Sequence, residues 1–132
     1  MDKYICKAKR TDNDEWVYGC LIAIPNEKDF IEQCYIVTKI DFRDTIYDVH
    51  KYAEEVDVNT ICRCVGRKDI NGNLMFEYDI IQDKNGNNYT IVYAFDCFCI
   101  PIPTEYDMVL DRIPHGCRVI GNKFDNTELT EV

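Results

Sequence analysis

Gly66-Arg67-Lys68-Asp69-Ile70-Asn71-Gly72-Asn73-Leu74-Met75-Phe76-Glu77-Tyr78-Asp79-Ile80-Ile81 is the stretch on which the reading of the whole chain turns. Asn71-Gly72 accepts the positive φ angles of a tight hairpin turn, and Asp69 ahead of it is placed to bond the turn backbone. Leu74-Met75-Phe76 follows as a short apolar run, and Asp79-Ile80-Ile81 opens another. Asp83-Lys84-Asn85-Gly86-Asn87-Asn88 then repeats the turn chemistry. The segment reads as strand, turn, strand, turn.

Downstream, residues 89–95 and 97–103 read as strands, and Pro101 and Pro103 confine the second to a sheet edge or end it there. Tyr106, Met108 and Leu110 recur at period two, a weaker strand pattern. Residues 117–122 form a last strand closed by Gly121-Asn122, and a helical turn is expected around 127–129. Upstream, residues 56–65 alternate cleanly, with Val56, Val58, Thr60, Cys62 and Cys64 on one face. Residues 3–10 and 16–24 flank a polar turn and predict an N-terminal hairpin, in which Gly19 marks a bulge or a close backbone approach. Residues 30–33 could form one helical turn, and 35–40 another strand. Ile46, Val49, Tyr52 and Ala53 fall at helical spacing, which predicts a brief helix or ordered loop over 41–55. The expected fold is mainly β, with short antiparallel strands and at most one or two short helices. An N-terminal hairpin and connecting segment occupy 1–58 and a second region with a C-terminal tail occupies 59–132, in which the strand spacing predicts a small antiparallel barrel over 60–122.

The 132 residues are 46% hydrophobic and include nine tyrosines, six phenylalanines and one tryptophan, which is ample for a globular core. No apolar run reaches the roughly 18 residues of a membrane span. The first residues lack the apolar region of a secretory signal, so a cytoplasmic location is expected. The net charge of −9 is spread over both halves. Lys3, Lys7, Lys9 and Arg10 make the one dense basic cluster, and it reads more simply as a protected edge strand than as a nucleic-acid surface.

Eight cysteines include two Cys-x-Cys pairs, Cys62/Cys64 and Cys97/Cys99. Two such strands side by side could form a tetrahedral zinc site. Small hydrophobes alternating on a strand face are the preferred reading, since zinc knuckles usually space their cysteines by two to four residues. No metal or cofactor is expected. The chain has no serine, which excludes a serine triad. His115 and Cys117 could pair as base and nucleophile, but no third group is identified to orient them. Asp69, Glu77 and Asp79 could hold a cation or act as acid and base. The preferred reading makes Asp69 and Asp79 turn-bonding residues. No catalytic residue is assigned.

Residues 12–19, Asp-Asn-Asp-Glu-Trp-Val-Tyr-Gly, resemble the "dngeWvyG" start of YopX-like phage and prophage proteins. Residues 56–61 fit their "eVdpeTigqytG" segment, 66–81 their "GlkDknGkeIyegDIv" signature, and 119–126 their "viGNiyen" close. The matches follow the family order over nearly the whole chain. Arg67 stands where the family usually has Leu, Met75 where it has Ile or a neighbouring apolar residue, and Tyr78 where it has Gly, so a tight positive-φ turn at position 78 is not expected. The resemblance implies a mostly β protein with a C-terminal SH3-like barrel, encoded by a phage or mobile element. It implies no activity. Trp16, Gly19, Gly66, Asp69, Asn71, Gly72, Asp79, Gly121 and Asn122 are the motif residues, and structural roles are expected for them. The expected function is non-enzymatic self-assembly or protein binding, with nucleic-acid association as the alternative.

Overall fold

Short strands dominate the residues that the computed structural model describes, 5–25, 32–38 and 52–129. The chain divides into two units, Met1–Arg63 and Cys64–Val132.

In the first unit, β1 (Cys6–Lys9) and β2 (Trp16–Pro25) form the expected hairpin, with Lys9 opposite Trp16 and Cys6 opposite Gly19. Its turn is closed by the Arg10 N–H on the Glu15 carbonyl at 2.9 Å and by the Glu15 N–H on Asn13 Oδ1 at 3.0 Å. β3 (Glu32–Val37) pairs antiparallel with β2, and β4 (Ala53–Val56) with β3. The start of β5 (Cys62–Lys68) pairs with β1 on the other side. Ala8, Cys34, Ile36 and Val56 are buried at the centre, with Cys6, Val17 and Ile61 packed around them. Full burial of a side chain such as Ile36 is worth about 1.5–3 kcal/mol. Gly19 meets the close-approach expectation, because a Cβ there would collide with the Val37 carbonyl.

Three local expectations change. Gln33 lies in β3 instead of a helical turn. Ala53 lies in β4 instead of a helix, Tyr52 just before it has 3-10 geometry, and Ile46 and Val49 fall outside the described residues. The alternation over 56–65 is interrupted by a 3-10 turn, Val58–Thr60. Asp57 Oδ1 takes the Asn59 N–H at 3.0 Å, and the Thr60 hydroxyl donates to the Asp57 carbonyl at 2.7 Å. Such side-chain bonds offer the backbone an alternative to the ladder, and Val58 is left exposed.

In the second unit, the end of β5 pairs with β6 (Leu74–Phe76), and the register shifts between Cys64 and Lys68. Gly66 sits in that irregular stretch at φ 85°, a conformation that only glycine adopts readily. β7 (Asp79–Gln82) lies between β12 (Arg118–Asn122) and β8 (Asn88–Thr90). β10 (Cys97–Pro103) lies between β9 (Val92–Ala94) and β11 (Met108–Asp111). Met75, Ile81, Ile91, Ile100, Ile113 and Cys117 form the buried core. A 3-10 turn at Thr127–Leu129 matches the expected helical turn.

The two three-stranded sheets remain separate, and no ladder among the described residues closes them into the expected barrel. Ile91 divides the expected strand over 89–95 into β8 and β9. Its N–H turns to the Asp79 carbonyl at 2.9 Å, and its carbonyl accepts the Tyr78 N–H at 2.7 Å.

The prolines neither place β10 at a sheet edge nor end it at the first of them, since β10 is the middle strand of its sheet and runs through Pro103. β9 pairs only with Cys97 to Cys99 of β10, and β11 only with Ile100 to Pro103. Each half of β10 is thus paired on one side. The Thr104 N–H bond to the Asp107 carbonyl sets the phase of the β10–β11 ladder, placing Ile100 and Ile102 at the hydrogen-bonded positions. Pro101 and Pro103 occupy the alternating non-hydrogen-bonded positions, where no N–H is required.

Candidate functional site

Asp69 and Asp83 build two acidic turns of the same design, the first of them from motif residues. Asp69 Oδ1 accepts the N–H groups of Asn71 and Asn73 at 2.9 and 2.8 Å, and its backbone N–H donates to the Asn73 carbonyl at 2.8 Å. Asp83 Oδ1 does the same for Asn85 and Asn87, both at 2.9 Å. Gly72 completes the first turn at φ 84°. Asp69 differs by being buried and by a further acceptor bond: its Oδ2 takes the Val119 N–H at 2.9 Å, tying the turn to β12. Burial pushes the Asp69 carboxyl up, and the N–H groups of Val119, Asn73 and Asn71 more than offset this, holding it below its ordinary range. Asp83 is also held low, chiefly by the Asn87 N–H.

Asp79 is buried and accepts the Phe76 N–H on Oδ2 at 2.8 Å. Tyr78 between them overturns the expectation drawn from its side chain, because it adopts φ 69° without glycine. Its N–H and carbonyl are bonded to Ile91 and Lys123, the latter at 3.0 Å. Its ring meets Phe124 edge-on at 5.9 Å and carries Lys123 Nζ at 3.5 Å from the centroid. Asn122 Oδ1 accepts the N–H groups of Phe124 and Asp125, both at 3.0 Å, and Gly121 leaves room for the Asn126 side chain. In the first unit, Trp16 is flanked by Lys7 and Lys9, whose Nζ atoms lie 4.7 and 5.4 Å from its ring centroid.

The candidate chemistry is differently placed. Cys62 and Cys64 are buried: the Cys62 thiol donates to the Thr60 carbonyl at 3.2 Å, and Cys64 Sγ accepts the Gly66 N–H at 3.3 Å. Cys97 is exposed and donates to the Ala94 carbonyl at 3.4 Å, while Cys99 is buried and its thiol pushed up by that burial. Among the described residues, no group of three or more His, Cys, Asp or Glu side chains is arranged to hold a metal ion. His115 is exposed, whereas Cys117 is buried with its sulfur 3.7 Å from that of Met75. Burial raises the Cys117 thiol, the opposite of what an activated nucleophile requires. The cations are committed locally. Arg10 meets Asp12 at 2.7 Å and Glu54 at 3.3 Å, Lys7 is buried, and Arg67 donates to the carbonyls of Ile113 and Pro114 at 3.2 and 3.1 Å.

The second unit also exposes large apolar side chains. All four residues of β11 are exposed, with Met108 at 57%, Val109 at 50% and Leu110 at 39%. Tyr106, at the tip of the β10–β11 hairpin, is 92% exposed. Phe95, at the opposite end of the sheet, is 89% exposed on a turn in which both Phe95 and Asp96 hold positive φ. An open cleft of about 800 Å³ is lined by Arg67, Phe95, Cys97, Leu110 and Arg112 among others. Sequence reading gave this surface little weight. The usable signal was Met108-Val109-Leu110, which is apolar on both strand parities and so leaves no polar face for water.

Short antiparallel ladders joined by carboxylate-bonded turns define a mainly β protein whose acidic motif residues hold backbone in place. The YopX protein family model matches residues 7–131, and the chain belongs to that family. No curated protein matches the chain.

Proposed function

We propose that the chain is a phage- or prophage-encoded accessory protein of the bacterial cytoplasm, without enzymatic activity, that acts by self-assembly or by binding protein. Its second unit is read as an opened form of a small SH3-like barrel. The observation that carries the proposal is β11, an edge strand exposed along its whole length with three consecutive apolar residues. Native proteins normally blunt such edges with Lys, Pro or a covering element, and β11 contains neither residue. Nucleic-acid association has less support, since Lys7, Arg10 and Arg67 are engaged within their own units. Size-exclusion chromatography with light scattering, together with affinity capture from host lysate, tests the reading. Concentration-dependent assembly or a specific protein partner is expected. A strict monomer that captures no protein contradicts it.

A further inference from the structure

We infer that the occupant of the β11 edge is the same edge of a second copy, paired antiparallel about a two-fold axis at Leu110; this rests on the self-assembly reading above. The ladder phase that turns Val109 and Asp111 toward β10 turns the N–H and carbonyl groups of Met108, Leu110 and Arg112 outward. The Met108 N–H is covered by Asp107 Oδ1 and the Arg112 N–H by Asp111 Oδ1, both at 2.7 Å. Leu110 lies between these two capped positions, and among the described residues no strand pairs with its outward backbone groups.

Electrostatics selects the register. Two antiparallel copies can pair only outward-facing residues with one another, so neighbouring registers differ by a shift of two residues. Centring the axis on Val109 sets Asp107 opposite Asp111, and centring it on Asp111 sets that carboxylate against its own copy. Like charges directly opposite destabilise a strand pair. Centring on Leu110 places Leu110 against Leu110, Met108 against Arg112 and Val109 against Asp111, so no carboxylates are apposed. The interface is isologous, as a closed dimer requires. It joins β9-β10-β11 of each copy into one continuous sheet. The net charge of −9 opposes approach at long range and makes assembly stronger in salt.

Sedimentation equilibrium on the full chain and three variants tests the pairing. Leu110→Pro removes the outward N–H while leaving the bonds to β10 intact, and is expected to weaken dimerisation by about tenfold or more. Met108→Lys sets a cation against Arg112 of the other copy and is expected to weaken it similarly. Adding Arg112→Glu to Met108→Lys restores the dimer. Circular dichroism checks that each variant is folded, and Met108→Lys changes only an exposed side chain. A Leu110→Pro protein that is folded and dimerises like the parent overturns the β11 pairing while leaving self-assembly standing. A double variant no tighter than Met108→Lys overturns the register. A parent chain monomeric at all concentrations overturns both this inference and self-assembly.

Discussion

Tyr78 shows how a residue can hold a backbone conformation that its side chain disfavours. A non-glycine residue in the left-handed region costs about 1–2 kcal/mol. Here the Ile91 and Lys123 backbone bonds fix the peptide, and the Phe124 and Lys123 contacts offset part of the strain. Removing the ring without relieving the backbone is therefore the worst change. In chemical denaturation, Tyr78→Ala is expected to be less stable than Tyr78→Gly by about 1 kcal/mol, reversing the usual order of the two residues. Asp69 gives a second prediction. Its folded pKa lies below the unfolded one, so its contribution is complete above the unfolded value and is lost as pH falls through the folded one. Asp69→Asn leaves one oxygen for three backbone donors and is expected to cost about 1–3 kcal/mol at neutral pH. Below about pH 4 the gap between parent and variant should narrow, as read from melts across pH.

At the scale of elements, the hairpin turns were legible because Asp-x-Asn-Gly-Asn states its own local bonds. The N-terminal hairpin and β10 were legible from alternation, whereas the middle position of β10 was not, because the two prolines pointed to an edge. The breaks at Val58–Thr60 and at Ile91 were not. In the first, Asp57 and Thr60 outcompete the ladder locally. In the second, the partners of Ile91 are the distant residues Tyr78 and Asp79, and no local pattern encodes them. The roles of Asp69 and Asp79 as turn-bonding residues were readable, whereas the extra bond from Val119 is tertiary and was not. Gly19 is the element-scale test. Gly19→Ala drives a methyl into the Val37 carbonyl across β2 and β3, and is expected to destabilise the chain by about 1–3 kcal/mol in urea.

For the whole molecule, the separate sheets and the exposed β11 belong together. A sheet that does not close leaves edges, and the edges differ in how they are blunted. β4 carries Glu54 and Glu55, and β8 is short and polar, whereas β11 presents Met108-Val109-Leu110. The account therefore rests on one backbone group at the centre of that edge. Amide exchange at Leu110, followed by NMR over a range of protein concentrations, reads it directly. The account predicts slow exchange at Leu110 when the protein is concentrated, becoming fast on dilution, while Val109 stays protected by β10 throughout. A Leu110 amide that exchanges fast at every concentration, beside a protected Val109, would contradict it.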